Sequence, residues 1–255
     1  MHVVSLQSGS NGNCIYVETE GVKLLFDAGI SGSRAKERLS RHGRDIADVD
    51  ALLISHDHAD HARNMGVFHR KFRLPVYATE KTYAAAGRYG LGAIADLRPF
   101  TAGESIRLGG VTVETIRTPH DGVDGVAFVV DDGKRRLGIL TDLGHVFHEL
   151  EAIVGSLDAV VLESNYDARM LATGPYPDFL KKRIEGPGGH ISNGEAAELL
   201  HRRASQRLKW VCLAHLSQDN NTPAAALKTH RRVLGKELPI VVAMRHEATA
   251  ILSVG

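Results

Sequence analysis

The stretch that most constrains this chain is His56-Asp57-His58-Ala59-Asp60-His61, an H-x-H-x-D-H pattern at the end of the apolar run 49–54. Four potential metal ligands fall within six residues. His56 and His58 are two apart, so in an extended turn leaving a strand they point the same way. Asp60 and His61 stand where the next segment, 62–71, takes up helical periodicity. Neutral imidazole and carboxylate are ligands that zinc and its divalent neighbours accept. A merely solvated turn has no use for this spacing, so the pattern predicts a metal centre at a strand exit.

At 255 residues the chain can bury a substantial core, and nothing divides it, so a single domain over 1–255 is expected. With 43% hydrophobic and 24% charged residues it falls in the ordinary globular class. The formal net charge of +1 gives no strong field toward nucleic acid or anionic lipid. An anionic substrate must therefore be held locally. Cys14 and Cys212 each lie in an apolar strand-like run, where a free thiol acts as a small hydrophobe. No disulfide framework is indicated, and the expected compartment is the cytoplasm. The first nine residues have no basic region followed by a long apolar stretch, so no signal peptide is expected. No run approaches the roughly 18 apolar residues of a membrane span, and no membrane partner is expected. Periplasmic antibiotic hydrolysis loses weight accordingly.

Residues 2–6, 13–19 and 22–27 read as strands separated by glycine turns. The first turn, Ser8-Gly9-Ser10-Asn11-Gly12-Asn13, lacks the lysine and helix of a phosphate-cradling P-loop and reads as a hairpin turn near the site. Ser31 or Ser33 caps a helix through Ala35, Leu39 and Arg41. Further strands are expected at 49–54, 74–78, 105–108, 111–117, 125–131, 135–140, 158–162, 208–214 and 238–243. Helices are expected at 62–71, 79–89, 177–184, from Ser192 or Asn193 to Arg203, and from the Thr222-Pro223 start to about Leu234. Many strands with interspersed helices predict two packed sheets with helices outside.

One construction recurs: an apolar strand runs into a histidine or aspartate at its exit, at His56, His120, Asp142 and His215. Alone, each of the last three is more often a surface residue than a ligand. If the strands lie side by side their ends converge on one rim, where loops on a rigid scaffold carry function.

This order of H-x-H-x-D-H, His120, Asp142 and His215 resembles the metallo-β-lactamase superfamily, an α/β fold whose four-layer αββα sandwich has two mixed sheets and a two-metal hydrolytic centre. Finer matches are Ser8-Gly9-Ser10-Asn11-Gly12-Asn13-Cys14, Asp27-Ala28-Gly29-Ile30-Ser31-Gly32, Glu163-Ser164-Asn165-Tyr166-Asp167, Gly189-His190-Ile191-Ser192-Asn193 and His215-Leu216-Ser217. These are similar to the WalJ/YycJ family of small bacterial DNA exonucleases of 5′-to-3′ polarity. The resemblance implies one metal on His56, His58 and His120, a second on Asp60, His61 and His215, and Asp142 bridging them. The all-nitrogen-and-oxygen set suits zinc or manganese equally. No cysteine ligand is present, unlike some antibiotic-degrading members.

Two ions about 3.5 to 4 Å apart bind a bridging water, bring its pKa toward roughly 7 and clamp a phosphodiester for in-line attack. Asp60 is expected to orient that hydroxide. Gly189-His190-Ile191-Ser192 resembles the Gly-His-Ser-Thr element of RNase Z relatives, where a histidine serves the scissile phosphate, and Glu163 matches its acidic partner. Ser192, Asn193 and the helix start behind them offer donors to an anion. Asn165, Asn220 and Asn221 are weaker candidates for substrate contacts. The basic runs 181–183 and 202–203 fit a nucleic-acid backbone or a solvated face, and one Trp and six Tyr make no stacking row.

The expected function is a metal-dependent phosphodiesterase on nucleic acid, most plausibly a DNA exonuclease. The distance from Asp142 to His215 leaves no room for a large inserted domain of the RNase J type. A small cyclic-phosphate diesterase is the alternative, and a β-lactam or lactone hydrolase is a weaker one because that chemistry does not need His190. A binding module with structural metals is the remaining class, disfavoured because structural zinc sites are closed and four-coordinate.

Overall fold

The computed structural model describes residues 1–255. Three strands come first, β1 (His2–Gln7), β2 (Cys14–Thr19) and β3 (Val22–Phe26). Helix α1 (Gly32–Ser40) leads into β4 (Ala51–Leu53), then α2 (Ala59–Ala62), α3 (Met65–Phe72), β5 (Val76–Ala78), α4 (Glu80–Ala86) and β6 (Leu97–Pro99). Four strands follow, β7 (Ser105–Leu108), β8 (Val111–Arg117), β9 (Val126–Asp131) and β10 (Arg136–Leu140). The chain continues through α5 (His148–Val154), β11 (Ala159–Glu163), α6 (Ala168–Thr173), α7 (Asp178–Glu185), α8 (Asn193–Arg203) and β12 (Trp210–Ala214). It ends with α9 (Pro223–Leu234), β13 (Ile240–Val242) and β14 (Leu252–Ser253).

The strands form two seven-stranded mixed sheets, β14-β1-β2-β3-β4-β5-β6 and β13-β12-β11-β10-β9-β8-β7. Each is antiparallel at one end and parallel at the other. Period-two alternation fills three apolar layers. In β2, Ile15 and Val17 face the space between the sheets while Cys14 and Tyr16 face the helices of the first sheet. In β11, Ala159 and Val161 point inward while Val160 and Leu162 pack outward. Burial on both faces is why these strands read as unbroken apolar runs. Phe26 and Phe128 meet across the inter-sheet layer with ring centroids 5.1 Å apart. The apolar stripes of α1 and α3 (Ala35, Leu39, Met65, Phe68) cover the first sheet, and those of α5 and α8 (Leu150, Val154, Ala196, Leu199) cover the second. The expected αββα sandwich is the observed fold.

Ser31 and Thr222 cap α1 and α9 as read from sequence, and Ser192 forms a capping box with Glu195 on α8. The helix expected at 62–71 is broken instead. Asn64 N donates to Ala28 O at 3.1 Å, which ends α2 against the loop after β3 and lets α3 start afresh. Four elements were not read from the sequence: β6, β14, α5 and α6. The two strands are three and two residues long, too short for alternation to register. Among these residues no helix is long and apolar enough to cross a membrane.

The topology places the chemistry. Strands β10, β11 and β12 are parallel neighbours, so Asp142, Glu163 and His215 leave the second sheet side by side. Across the sandwich, β4 delivers His56 to the same rim.

Candidate metal centre

Three residues at strand exits adopt the left-handed backbone region that disfavours side chains: Asp27 (φ 65°), Asp142 (φ 59°) and His215 (φ 55°). Such conformations cost of order 1–3 kcal/mol each, and persist where the surroundings over-determine them. At Asp27 the surroundings are backbone bonds that stitch three loops together. Asn13 N donates to Asp60 O (2.7 Å), Ala28 N to His61 O (2.6 Å) and Gly29 N to Asn13 O (2.9 Å). The approach is so close that a Cβ on Gly29 would overlap the Asp60 carbonyl, which is why glycine stands there.

His56, His61, His120 and His215 are each aimed by a bond through Nδ1, leaving Nε2 for the centre. His61 Nδ1 donates to Asp27 Oδ2 at 2.8 Å, while Asp27 Oδ1 accepts from Ser55 N and Ser55 Oγ at 2.8 and 2.9 Å. His120 Nδ1 donates to Gly189 O at 2.8 Å. His56 Nδ1 lies 3.0 Å from Ser55 Oγ, and His58 Nδ1 faces His120 Nε2 at 3.3 Å. His215 is held by its own backbone N–H, which donates to Ser8 Oγ at 2.7 Å, by Asn165 Nδ2, which donates to its carbonyl O at 2.8 Å, and by its Nδ1, which donates to Glu163 Oε1 at 3.3 Å. Its Nε2 stands 3.3 Å from Asp60 Oδ2 and 3.5 Å from Asp142 Oδ1.

The ligand atoms fall into groups within 4.8 Å of one another: His56, His58 and His120; Asp60, His61 and His215; and His56, His61 and Asp142. Two of these atoms, His56 Nε2 and Asp142 Oδ2, are buried with no hydrogen-bond partner. Buried polar atoms are almost always satisfied, so this pair marks a place built for a cation, and its donor set fits a divalent metal.

Among protein groups alone the centre is a knot of opposed charges. Burial pushes the Asp142 carboxyl up, but His215, His61, His56 and His120 hold it well below the usual carboxylate range. Burial opposes charge on His61 and His215, yet Asp142 and the neighbouring carboxylates win, lifting His61 well above an ordinary imidazole and His215 to about 10. His56 has no such carboxylate contact strong enough, and burial with the neighbouring His61 leaves it well below.

Glu163 lies fully buried behind the centre. Its carboxylate accepts from His190 Nδ1 at 2.7 Å and from the backbone N–H groups of Asp142, Leu143 and Ile191 at 3.2–3.3 Å. Burial would raise its pKa, but His190 and His215 outweigh it and bring it down to about 2. The His190 ring stands between His120 and His215, at centroid distances of 4.9 and 5.1 Å. It borders a cavity of about 220 Å³ whose floor carries Asp60, His120, Asp142 and His215. One wall is α7 and its approach, through Tyr176, Leu180 and Arg183, and the other carries Ser10 and Ser217.

Thus the structure brings together His56, His58, Asp60, His61, His120, Asp142, His215, His190 and Glu163. Asn165 also lines the cavity, beside His215. The other expected substrate contacts turn away. Ser192 Oγ is engaged with Glu195 as the α8 cap. Asn193 is buried against Ser164 and Asn221, and Asn220 is buried with its Nδ2 toward Ser217. These three support the wall from behind because the chain there is packed under β11 and α8. Sequence reading assigned no role to Asp27, Asn13, Asp57 or Asp121. Asp27 ends a strand just as Asp142 does, a signal that could have found it. Asp57 takes Val123 N at 2.7 Å and Arg88 Nη1 at 2.7 Å, pinning the His56 loop to the loop that carries His120. Asp121 pairs with Arg183 of α7 at 2.7 Å and reaches within 3.5 Å of His58 and His120.

Comparison with known proteins places this arrangement. The beta-lactamase superfamily domain model matches residues 23–212. The chain is 36% identical to exodeoxyribonuclease YycJ of Bacillus anthracis over 236 residues, covering 92% of this chain and 89% of the relative. It is 37% identical to exodeoxyribonuclease WalJ of Streptococcus pneumoniae over 230 residues, 88% of this chain and 84% of that one. The crystal structure of Zn(2+)-bound PqqB from Methylobacterium extorquens superposes with a TM-score of 0.73 at 18% identity, over 98% of this chain and all of that one, and so shares the fold. The chain belongs to the beta-lactamase superfamily of metal-dependent hydrolases and, within it, to the WalJ/YycJ-like family of the metallo-β-lactamase fold.

Proposed function

We propose that residues 1–255 form one binuclear metal-dependent phosphodiesterase domain that degrades DNA as an exonuclease, from the 5′ end toward the 3′ end. The observation that carries the reading is the His190–Glu163 pair, a histidine held at 2.7 Å by a buried carboxylate on the edge of the candidate metal centre. Hydrolysis of a phosphodiester expels an alkoxide that needs a proton, and His190 Nε2 faces the cavity to supply it.

In this reading His56, His58 and His120 would hold one zinc or manganese ion, Asp60, His61 and His215 would hold the other, and Asp142 would serve as their shared carboxylate ligand. When bound, the ions supply Lewis-acid neutralisation of the phosphate and an activated water at neutral pH. Asp60, fixed by Asn13 Nδ2 at 3.3 Å, orients the attacking water. Glu163 accepts the hydrogen bond from His190 Nδ1, and its negative charge supports the doubly protonated imidazolium, whose Nε2–H passes to the leaving oxygen and is replaced from solvent. Asn165 holds His215 and offers its remaining edge to the substrate.

The names of YycJ and WalJ support DNA as substrate. The test is digestion of DNA labelled at the 5′ or the 3′ end by protein loaded with defined metal. The proposal expects immediate release of labelled mononucleotide from the 5′-labelled strand and a shrinking ladder from the 3′-labelled one. Cleavage of bis-p-nitrophenyl phosphate with DNA left intact would move the assignment to a small-molecule phosphodiesterase.

A further inference from the structure

A second cavity of about 290 Å³ adjoins the centre, and Ser217 lines both. Its polar wall is Ser217, Gln218, Thr222 and Arg245, and its apolar wall includes Pro223 and Met244, the latter 41% exposed. The volume stands at the lower end of small-molecule sites, roughly 300–1,000 Å³. Arg245 is the unusual member. Every hydrogen bond it makes goes to a neutral acceptor: Leu216 O at 2.6 Å, Asn11 Oδ1 at 3.1 Å and Ser10 Oγ at 3.3 Å. Arg63 meets the same loop from the other side, donating to Asn11 O and Gly29 O at 3.1 Å. Two guanidinium groups therefore meet at Asn11, and its neighbour Ser10, which only Arg245 contacts, is itself a wall of the catalytic cavity. This contrasts with the opposite wall, where Arg183 is neutralised by Asp121.

Asp219 and Asp60 act on Arg245 only through space, without a hydrogen bond, so the guanidinium still offers its planar fork to an incoming phosphate. We propose that this second cavity holds the nucleotide next to the scissile bond, with Arg245 on its phosphate and Met244 and Pro223 against its base. The inference rests on the reading of the centre as a nucleic-acid phosphodiesterase, and adds which side of the centre the strand occupies. The phosphate is a terminal monoester or an internal diester, since both present anionic non-bridging oxygens to a guanidinium.

The test compares wild type, Arg245→Ala, Arg245→Lys and Met244→Glu at matched metal loading. Substrates are a 5′-phosphorylated oligodeoxynucleotide, its 5′-hydroxyl counterpart, and bis-p-nitrophenyl phosphate. Met244→Glu changes an exposed side chain and sets a carboxylate beside Arg245, so it tests the cavity without removing the bonds that hold the Ser8–Asn13 turn. The ratio of DNA to small-diester kcat/KM should fall at least tenfold in Arg245→Ala and Met244→Glu, through KM, with partial recovery in Arg245→Lys. Fluorescence anisotropy of a labelled oligonucleotide on the metal-free proteins should show the same loss of affinity. Loss confined to the 5′-phosphorylated strand identifies the monoester, and equal loss on both strands identifies an internal phosphate. An unchanged ratio in both variants would overturn the inference while leaving the reading of the centre intact. Wild type that cleaves neither DNA nor the small diester would overturn that reading, and this inference with it.

Discussion

Glu163 Oε1 accepts a hydrogen bond from His190 Nδ1 at 2.7 Å, and the same carboxylate takes three backbone N–H groups around the exits of β10 and α7. One buried charge thus aims a side chain at the cavity and ties together the loops that present Asp142 and His190. Function and architecture meet in that group.

Glu163→Gln therefore has two separable effects. It removes the charge that holds His190, lowering kcat by about 10- to 100-fold, within the range of general acid–base catalysis. It also weakens a charged acceptor for buried N–H groups, costing about 1–3 kcal/mol of stability. His190→Ala should lose more, about 100-fold or more, with little change in melting temperature. Steady-state rates beside thermal melts separate the two, and a double variant no worse than His190→Ala shows that Glu163 acts through His190.

Asp27 touches no cavity, yet it orients His61 through Nδ1. Asp27→Ala should weaken metal binding about 10- to 100-fold, as loss of a ligand's hydrogen-bond partner does. Competition with a chromophoric chelator measures this directly, and full affinity in the variant would contradict the assignment of His61 as a ligand.

The charge balance of the centre predicts proton release on metal binding. His61 lies well above its ordinary value and His215 at about 10, so both are protonated at pH 7 in the metal-free protein. A metal ligand must be neutral imidazole, so at least one proton leaves as the ion binds. Affinity should rise with pH from 6 to 9. Calorimetry in buffers of different ionisation enthalpy counts the protons, and a heat independent of buffer would contradict this balance.

Gly29→Ala places a methyl group where the Asp60 carbonyl lies. Overpacking of this kind costs typically 1–3 kcal/mol. Because the displaced helix α2 carries Asp60 and His61, metal affinity should fall together with melting temperature. A variant that melts normally and binds metal normally would show that the loops are not held as tightly as their bonds indicate.

The H-x-H-x-D-H cluster and the exits at His120, Asp142 and His215 were legible because strands buried on both faces leave long apolar runs that end abruptly in polar residues. Helix starts at Ser31, Ser192 and Thr222 were legible from local capping chemistry. What could not be read was tertiary in origin. Ser192 has a single hydroxyl, and only the packing decides that it caps α8 rather than meeting a substrate. Asn193 and Asn220 look like exposed polar residues in sequence, but both are buried in the fold, Asn193 against Ser164 and Asn221. The role of Asp27 depends on a partner 34 positions away, and the wall formed by α7 depends on the Arg183–Asp121 pair, 62 positions apart.

The most direct test of the account is the activity of His190→Ala and wild type, loaded with equal metal, on end-labelled DNA and on bis-p-nitrophenyl phosphate. Its nitrophenolate leaving group needs no proton, whereas the sugar oxygen of DNA does. The account predicts that the variant loses about 100-fold or more on DNA and markedly less on the activated diester. Equal losses on both substrates, or none on DNA, would contradict the assignment of His190 as the proton donor of a phosphodiesterase.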